Sequence, residues 1–205
     1  MSTREPRLEP VAIADLHPTQ ITVGFREVAA KRKEWRHRAG KTKPDFLGRH
    51  MIPVILGPKD RHYVIDHHHL VRALHEEGVK DVLVNVVADL TAVHKDSFWV
   101  VLDHHGWCHP YDDEGVRRGF DAIPPSITKL KDDPFRSLAG ELRRIGGYAK
   151  DVTPFAEFVW ADFLRRHIKR RRIEDDFASA LAKALELAKG RDADYLPGWC
   201  GAVET

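Results

Sequence analysis

Apolar and polar positions along the chain change rhythm near its middle. Up to about Asp89 the apolar residues come in short runs and alternations of strand type. Residues 11–16 alternate apolar with small or acidic side chains and run into His17-Pro18, where proline steers the preceding residue away from helical backbone. This predicts a short strand ending in a loop. Residues 27–38 have a helical pattern. Residues 51–56 form a β-type run, Gly57-Pro58-Lys59-Asp60 is a turn cluster and residues 62–65 are a second run, so the three together predict a hairpin. Residues 70–77 predict a short helix closed by Gly78. Residues 82–87 are β-branched and apolar on both faces, which suits a strand at the centre of a sheet.

The second half has helical spacing. Residues 124–130 predict a short helix. Asp133-Pro134 supplies an N-cap followed by proline at the first helical position, and Gly146-Gly147 stops the helix that follows. Thr153-Pro154 repeats that start signal ahead of Phe155, Phe158, Val159, Phe163 and Ile168. Phe177, Leu181, Ala184, Leu185 and Ala188 outline a further amphipathic helix ending at Gly190. These apolar stripes are core-forming faces. The pattern predicts an α+β protein, with a sheet-bearing domain over residues 1–92 and a helical extension over 93–205 packed on it.

Composition narrows the class. The chain has 205 residues, 42% of them hydrophobic, and no run of 18 apolar residues. Its first residues lack the apolar stretch of a signal peptide, so a soluble, cytoplasmic protein is expected. Two cysteines, Cys108 and Cys200, are too few for a disulfide framework or a cysteine-based zinc site. A net charge of +2 implies no whole-molecule steering toward nucleic acid. The compositional oddity is 13 histidines.

Three of them stand together in Ile65-Asp66-His67-His68-His69-Leu70, between a predicted strand and a predicted helix. Helix N-termini carry unpaired N–H groups and the positive end of the dipole, so they attract anions and above all phosphate. Imidazoles there can donate or accept hydrogen bonds, and the dipole discourages their protonation. An acid and three imidazoles at such a turn suit acid–base chemistry on an anionic ligand; the alternative is a polar loop whose imidazoles merely cap the helix.

Residues 66–74 resemble the strand-to-helix turn of the ParB/sulfiredoxin superfamily, Asp-Gly-His-His-Arg-Leu-x-Ala-Leu, and Leu16-His17-Pro18-Thr19-Gln20 is similar to the loop after its first strand. Asp132-Asp133-Pro134-Phe135-Arg136-Ser137-Leu138-Ala139-Gly140, Pro154-Phe155-Ala156-Glu157-Phe158 and Leu196-Pro197-Gly198-Trp199 extend the likeness to the group described as putative ParB-like nucleases. The resemblance implies a small mixed sheet with short helices, a turn that binds nucleotide phosphates, and nuclease, nucleotide-hydrolase or phosphotransferase activity. Three positions depart from the superfamily pattern: His67 stands where it has glycine, Leu70 where it has arginine, and His68 where sulfiredoxins have their cysteine. Peroxiredoxin repair is therefore not implied.

These readings give Asp66, His68 and His69 as candidate catalytic residues, the last two as general acid or base, with His67, Arg72, Lys31 and Gln20 as candidate phosphate-binding residues. Asp66 would orient an imidazole or hold a magnesium ion arriving with a nucleotide; no tightly bound cofactor is expected. His105 and His109 are outside candidates for a metal shared with the turn, although no helical His-Glu-x-x-His pattern occurs. The basic segment 31–43 supports an alternative, a non-catalytic nucleotide- or DNA-binding module. The second basic stretch, Arg165 to Arg172, closes a helix and is followed by Glu174-Asp175-Asp176, as expected of cations complementing a helix C-terminus.

Overall fold

The computed structural model describes residues 7–38, 46–48 and 50–201, and the chain divides into two compact units. The first contains Val28–Tyr111 and Arg117–Lys131 together with the chain through Val23. The second contains Gly24–Glu27, Asp112–Val116 and the chain from Asp132 onward. The sheet-bearing unit thus runs well past residue 92, because the segments that follow complete its cores.

In the first unit, β1 (Arg7–Ala12), β2 (Leu16–Pro18), β4 (Ile52–Gly57), β5 (Arg61–Val64) and β6 (Asp81–Asp89) form one mixed sheet in the order β1-β6-β4-β5-β2. A two-residue strand, β3 (Thr22–Val23), lies outside it. Pairings β1–β6 and β4–β5 are antiparallel; β4–β6 and β2–β5 are parallel. Alternation along β4 and β5 sends Ile52, Val54 and Val64 into a core with Val28 and Trp35 of α1 (Phe25–Arg38) and Leu70, Val71 and Leu74 of α2 (His68–Glu76). Ile55 and Tyr63 point the other way, against Phe98 and Leu102 of α3 (Lys95–His104).

The hairpin over β4 and β5 and the interior place of β6 match the sequence pattern, although Val87 near the end of β6 stays half exposed. The expected strand over 11–16 is instead broken by a 3-10 turn at Ile13–Asp15. Ile13 and Leu16, three apart, both enter the core, which a 3-10 turn allows and an alternating strand does not. Over 124–130 only Ile127–Lys129 is helical, also as a 3-10 turn. The Arg72 guanidinium donates to the carbonyls of Ile127, Thr128 and Leu130, offering them a partner outside any helix. Helix α3 was not signalled by apolar spacing.

The second unit contains α4 (Pro134–Arg144), α5 (Ala156–His167), α6 (Arg170–Asp175) and α7 (Phe177–Lys189), whose apolar faces meet around Trp160, Leu138, Leu142 and Leu164. Helix α5 begins two residues beyond the Thr153-Pro154 signal, after Phe155 in left-handed backbone. Two sequence motifs turn out to be fastenings. In Leu196-Pro197-Gly198-Trp199, the Pro197 carbonyl accepts from the Trp160 indole at 2.8 Å, and the Gly198 carbonyl accepts the Ala149 N–H at 2.7 Å. Gly198 has φ +72° and a side chain there would collide with the Ala149 carbonyl.

The 132–140 motif secures a helix start other than its own as well as its own. Asp133 N-caps α4 by accepting the Phe135 N–H at 2.9 Å, with Pro134 at the first helical position. Asp132 accepts the Phe25 N–H at 2.7 Å and Ser137 Oγ accepts the Arg26 N–H at 3.3 Å, so both cap the start of α1. Arg136 donates to Glu27 in that same turn, at 3.0 Å. Gly24 is needed because a Cβ there would stand 2.5 Å from Ser137 Oγ and 2.9 Å from its backbone nitrogen. Asp132→Ala should therefore lower unfolding free energy by about 1 kcal/mol, whereas Gly24→Ala, which forces backbone apart, should cost more; urea denaturation of both variants checks the order.

Candidate functional site

Strand β5 delivers the chain into α2 through residues 65–67. His67 adopts left-handed backbone, φ +67° and ψ +21°, and so meets with a side chain the conformation for which glycine is favoured. The exposed Asp66 carboxylate accepts the His67 N–H at 2.6 Å and braces the turn. The His67 side chain at the N-cap makes no capping hydrogen bond to the first turn of α2, and helix starts of this kind attract anions. His67 and His69 are both partly exposed at this end.

His68 differs from its neighbours. It is 3% exposed, and its Nε2 accepts the Thr19 N–H at 3.2 Å, which assigns the ring proton to Nδ1. Burial pushes its pKa down to about 3; His69 and His67 push the same way, and Asp66 opposes them. At neutral pH His68 is an uncharged internal pin. The acid–base role expected of it does not suit this setting, because the nitrogen that would exchange protons is already holding the backbone of another loop.

Thr19 gathers the rest of the site. Its hydroxyl donates to the Val64 carbonyl at 2.7 Å, and its own carbonyl accepts the His109 N–H at 2.8 Å. Gln20, 4% exposed, forms a parallel bridge with His109 and donates its side-chain amide to the Thr22 carbonyl at 2.6 Å. The fold thus brings Gln20 and His109 beside the 66–69 turn, with the His109 ring stacked on Tyr111 at 4.5 Å. His105 stacks instead on Trp107 at 4.3 Å. Nothing in the periodicity singled out Thr19, whose role depends on three segments converging on one residue.

Two expected phosphate ligands are occupied or placed elsewhere. Arg72 donates to Glu76 at 2.7 Å and to the 127–130 carbonyls, so its guanidinium anchors that segment rather than facing the turn. Lys31 stands beside Arg32, which with Arg36 pairs to Glu76 and Glu77 at the C-terminal end of α2. Their hydrogen bonds hold the Glu77 carboxyl down at about 2. That end is about 13 Å from the turn by helix rise. Lys41 and Lys43 lie outside the described residues. Among the described residues no three His, Cys, Asp or Glu side chains gather closely enough to hold a metal ion, so His105 and His109 form no such group with the turn. Burial and Asp103 push the Cys108 thiol up to about 12, against any nucleophilic role.

A family described as "Putative ParB-like nuclease" matches residues 9–166. The chain belongs to that family. Its fold is shared with a solved structure, the crystal structure of protein Atu1540 from Agrobacterium tumefaciens, which is 56% identical with a TM-score of 0.90 and matches over 96% of this chain and 100% of that one. No match was found among curated proteins. The ParB-like match takes in the Thr19 loop, the 66–69 turn and the 132–140 motif, and no described helix is long and apolar enough to cross a membrane.

In this ParB-like chain the depressed His68 pKa makes stability pH-dependent with a definite sign. The unfolded ring binds a proton near its ordinary value of about 6.5, whereas the folded ring resists it, so stability is whole above that value and falls as pH drops toward 3. His17, lowered by burial, adds in the same direction. The His68 contribution alone predicts a loss of about 2 kcal/mol between pH 7 and pH 5. His68→Gln, which keeps an acceptor for Thr19, should flatten that dependence in urea denaturation. His67→Gly should relieve left-handed strain and raise stability by up to about 1 kcal/mol, measured in the same way.

Proposed function

We propose that the chain is a phosphate-directed enzyme acting on a phosphate ester or nucleotide, with the 66–69 turn as its active site. The observation that carries this reading is the start of α2, where the N-cap side chain makes no capping bond, entered through glycine-like backbone and flanked by an exposed carboxylate and a partly exposed imidazole. Membership of a ParB-like nuclease family supports phosphate ester chemistry as the class.

The roles follow from placement. The first-turn N–H groups of α2 receive phosphate oxygens, where the helix dipole and orphan donors favour negative charge. His69 serves as general acid or base, since it is at the same helix end and accessible, while His68 beneath it holds the Thr19 loop in place. Asp66 keeps the turn in its left-handed form and offers a carboxylate to a magnesium ion that enters with the ligand's phosphates.

A second reading has an observation in its favour: with His68 and Arg72 both engaged in structure, the turn could bind an anion without transforming it, as a nucleotide- or DNA-binding module. Turnover and thermal-shift measurements with a panel of nucleotides and short DNA, with and without magnesium, separate the two. The enzyme reading expects turnover by the wild type that falls about 100-fold or more in His69→Ala, with ligand stabilisation retained. Stabilisation without turnover would establish the binding module, and no response to any phosphate ligand would remove both.

A further inference from the structure

We propose that the second unit carries a phosphate-binding cleft of its own, independent of the 66–69 turn. The C-terminal end of α5, the start of α6 and the 112–116 segment border an open cleft of about 500 Å³. Arg165, Arg166, Lys169 and Arg170 line it with Asp113 and Glu114, and the three arginines are ion-paired to Asp133, Asp162, Asp113 and Glu174. The basic stretch that the sequence suggested was a solvated helix end is therefore split in its role. Arg171 pairs outward with Asp175, but four of its neighbours border a concave space.

Arg165 is the built part of this cleft. Its side chain is 15% exposed and held by Asp133, itself 1% exposed, at 2.7 Å, with its guanidinium 5.0 Å from the centre of the Phe135 ring. Fixed in this way, it forms a rigid cationic wall of the cleft. Lys169 has no ion-pair partner among the described residues, and Arg166 is tied only to the half-exposed Asp162, an ion pair that a phosphate can replace. Arg170 spans Asp113 and Glu174 and also borders a neighbouring cavity of about 280 Å³ that includes Arg26 and Ser137. Fork-shaped arginines and a flexible lysine are the side chains that recognise phosphate oxygens. The ligand is a phosphate group, carried either by a mononucleotide or by a nucleic-acid strand.

The test uses the full chain, with fluorescence polarisation of a labelled 12-nucleotide single strand and thermal shift with AMP and inorganic pyrophosphate as probes. Arg165→Ala is unsuitable, since it strands the buried Asp133 charge. The exposed pair Arg166→Glu and Lys169→Glu, combined and checked for folding by circular dichroism, should weaken binding at least tenfold and reduce the salt slope of strand binding by about 1.4, two contacts at about 0.7 each. His69→Glu, whose carboxylate repels an anion from the start of α2, should leave that binding within about twofold. Loss of the strand signal alone identifies a strand as the source; loss of the AMP and pyrophosphate shifts alone identifies a small ligand. Unchanged binding by the double variant, loss through His69→Glu instead, or no binding of any probe by the wild type would overturn the proposal.

Discussion

The arrangement around the 66–69 turn rests on one hydrogen bond, from the Thr19 amide to the buried imidazole of His68. It acts at a distance of 49 residues along the chain and works only while the ring is neutral, because a protonated imidazole has no lone pair to offer. Burial supplies that neutrality. Thr19 then passes the constraint on in two directions, to the end of β5 through its hydroxyl and to the His109 segment through its carbonyl. A left-handed residue opens the helix, a buried one locks it, and a partly exposed one is left at the surface: three identical side chains in a row have three different physical roles.

The same economy of means appears in the second unit. A stretch that resembles a family signature, residues 132–140, consists of caps and ion pairs: Asp133 for α4, Asp132 and Ser137 for α1, Arg136 for Glu27. The Leu196–Trp199 motif is a clasp on Trp160 and Ala149. Each of these side chains meets a donor or acceptor that is unfavourable to leave unmet, so the two motifs are how the chain is fastened. Chemistry has to be sought where polar groups remain available at a surface, at the start of α2 and in the arginine-lined cleft.

How legible these places were depended on how local their causes are. The β4–β5 hairpin, the interior strand β6, the helix starting at Asp133-Pro134 and the position of the 66–69 turn all follow from signals within a few residues, such as alternation, turn residues and caps. The 3-10 turn at Ile13, the collapse of the expected 124–130 helix and the occupation of Arg72 do not, because each is decided by a core or a carbonyl far away in sequence. Apolar spacing likewise did not mark α3, whose buried Phe98 and Leu102 share one segment with exposed Asp96 and Val100.

The sequence by itself determined that Asp66 and three histidines stand between a strand and a helix in an α+β, ParB-like chain, since that placement depends on neighbours in the chain. Only the tertiary structure decided what each histidine does. Whether an imidazole is a pin or an acid–base group depends on its burial and on which distant backbone meets its nitrogen, and the approach of Thr19 from another loop is not encoded in the spacing of the turn. The basic stretch after Phe163 divides for the same reason: helical periodicity sets which cations share a face, and the fold around them determines whether that face meets water or closes into a cleft.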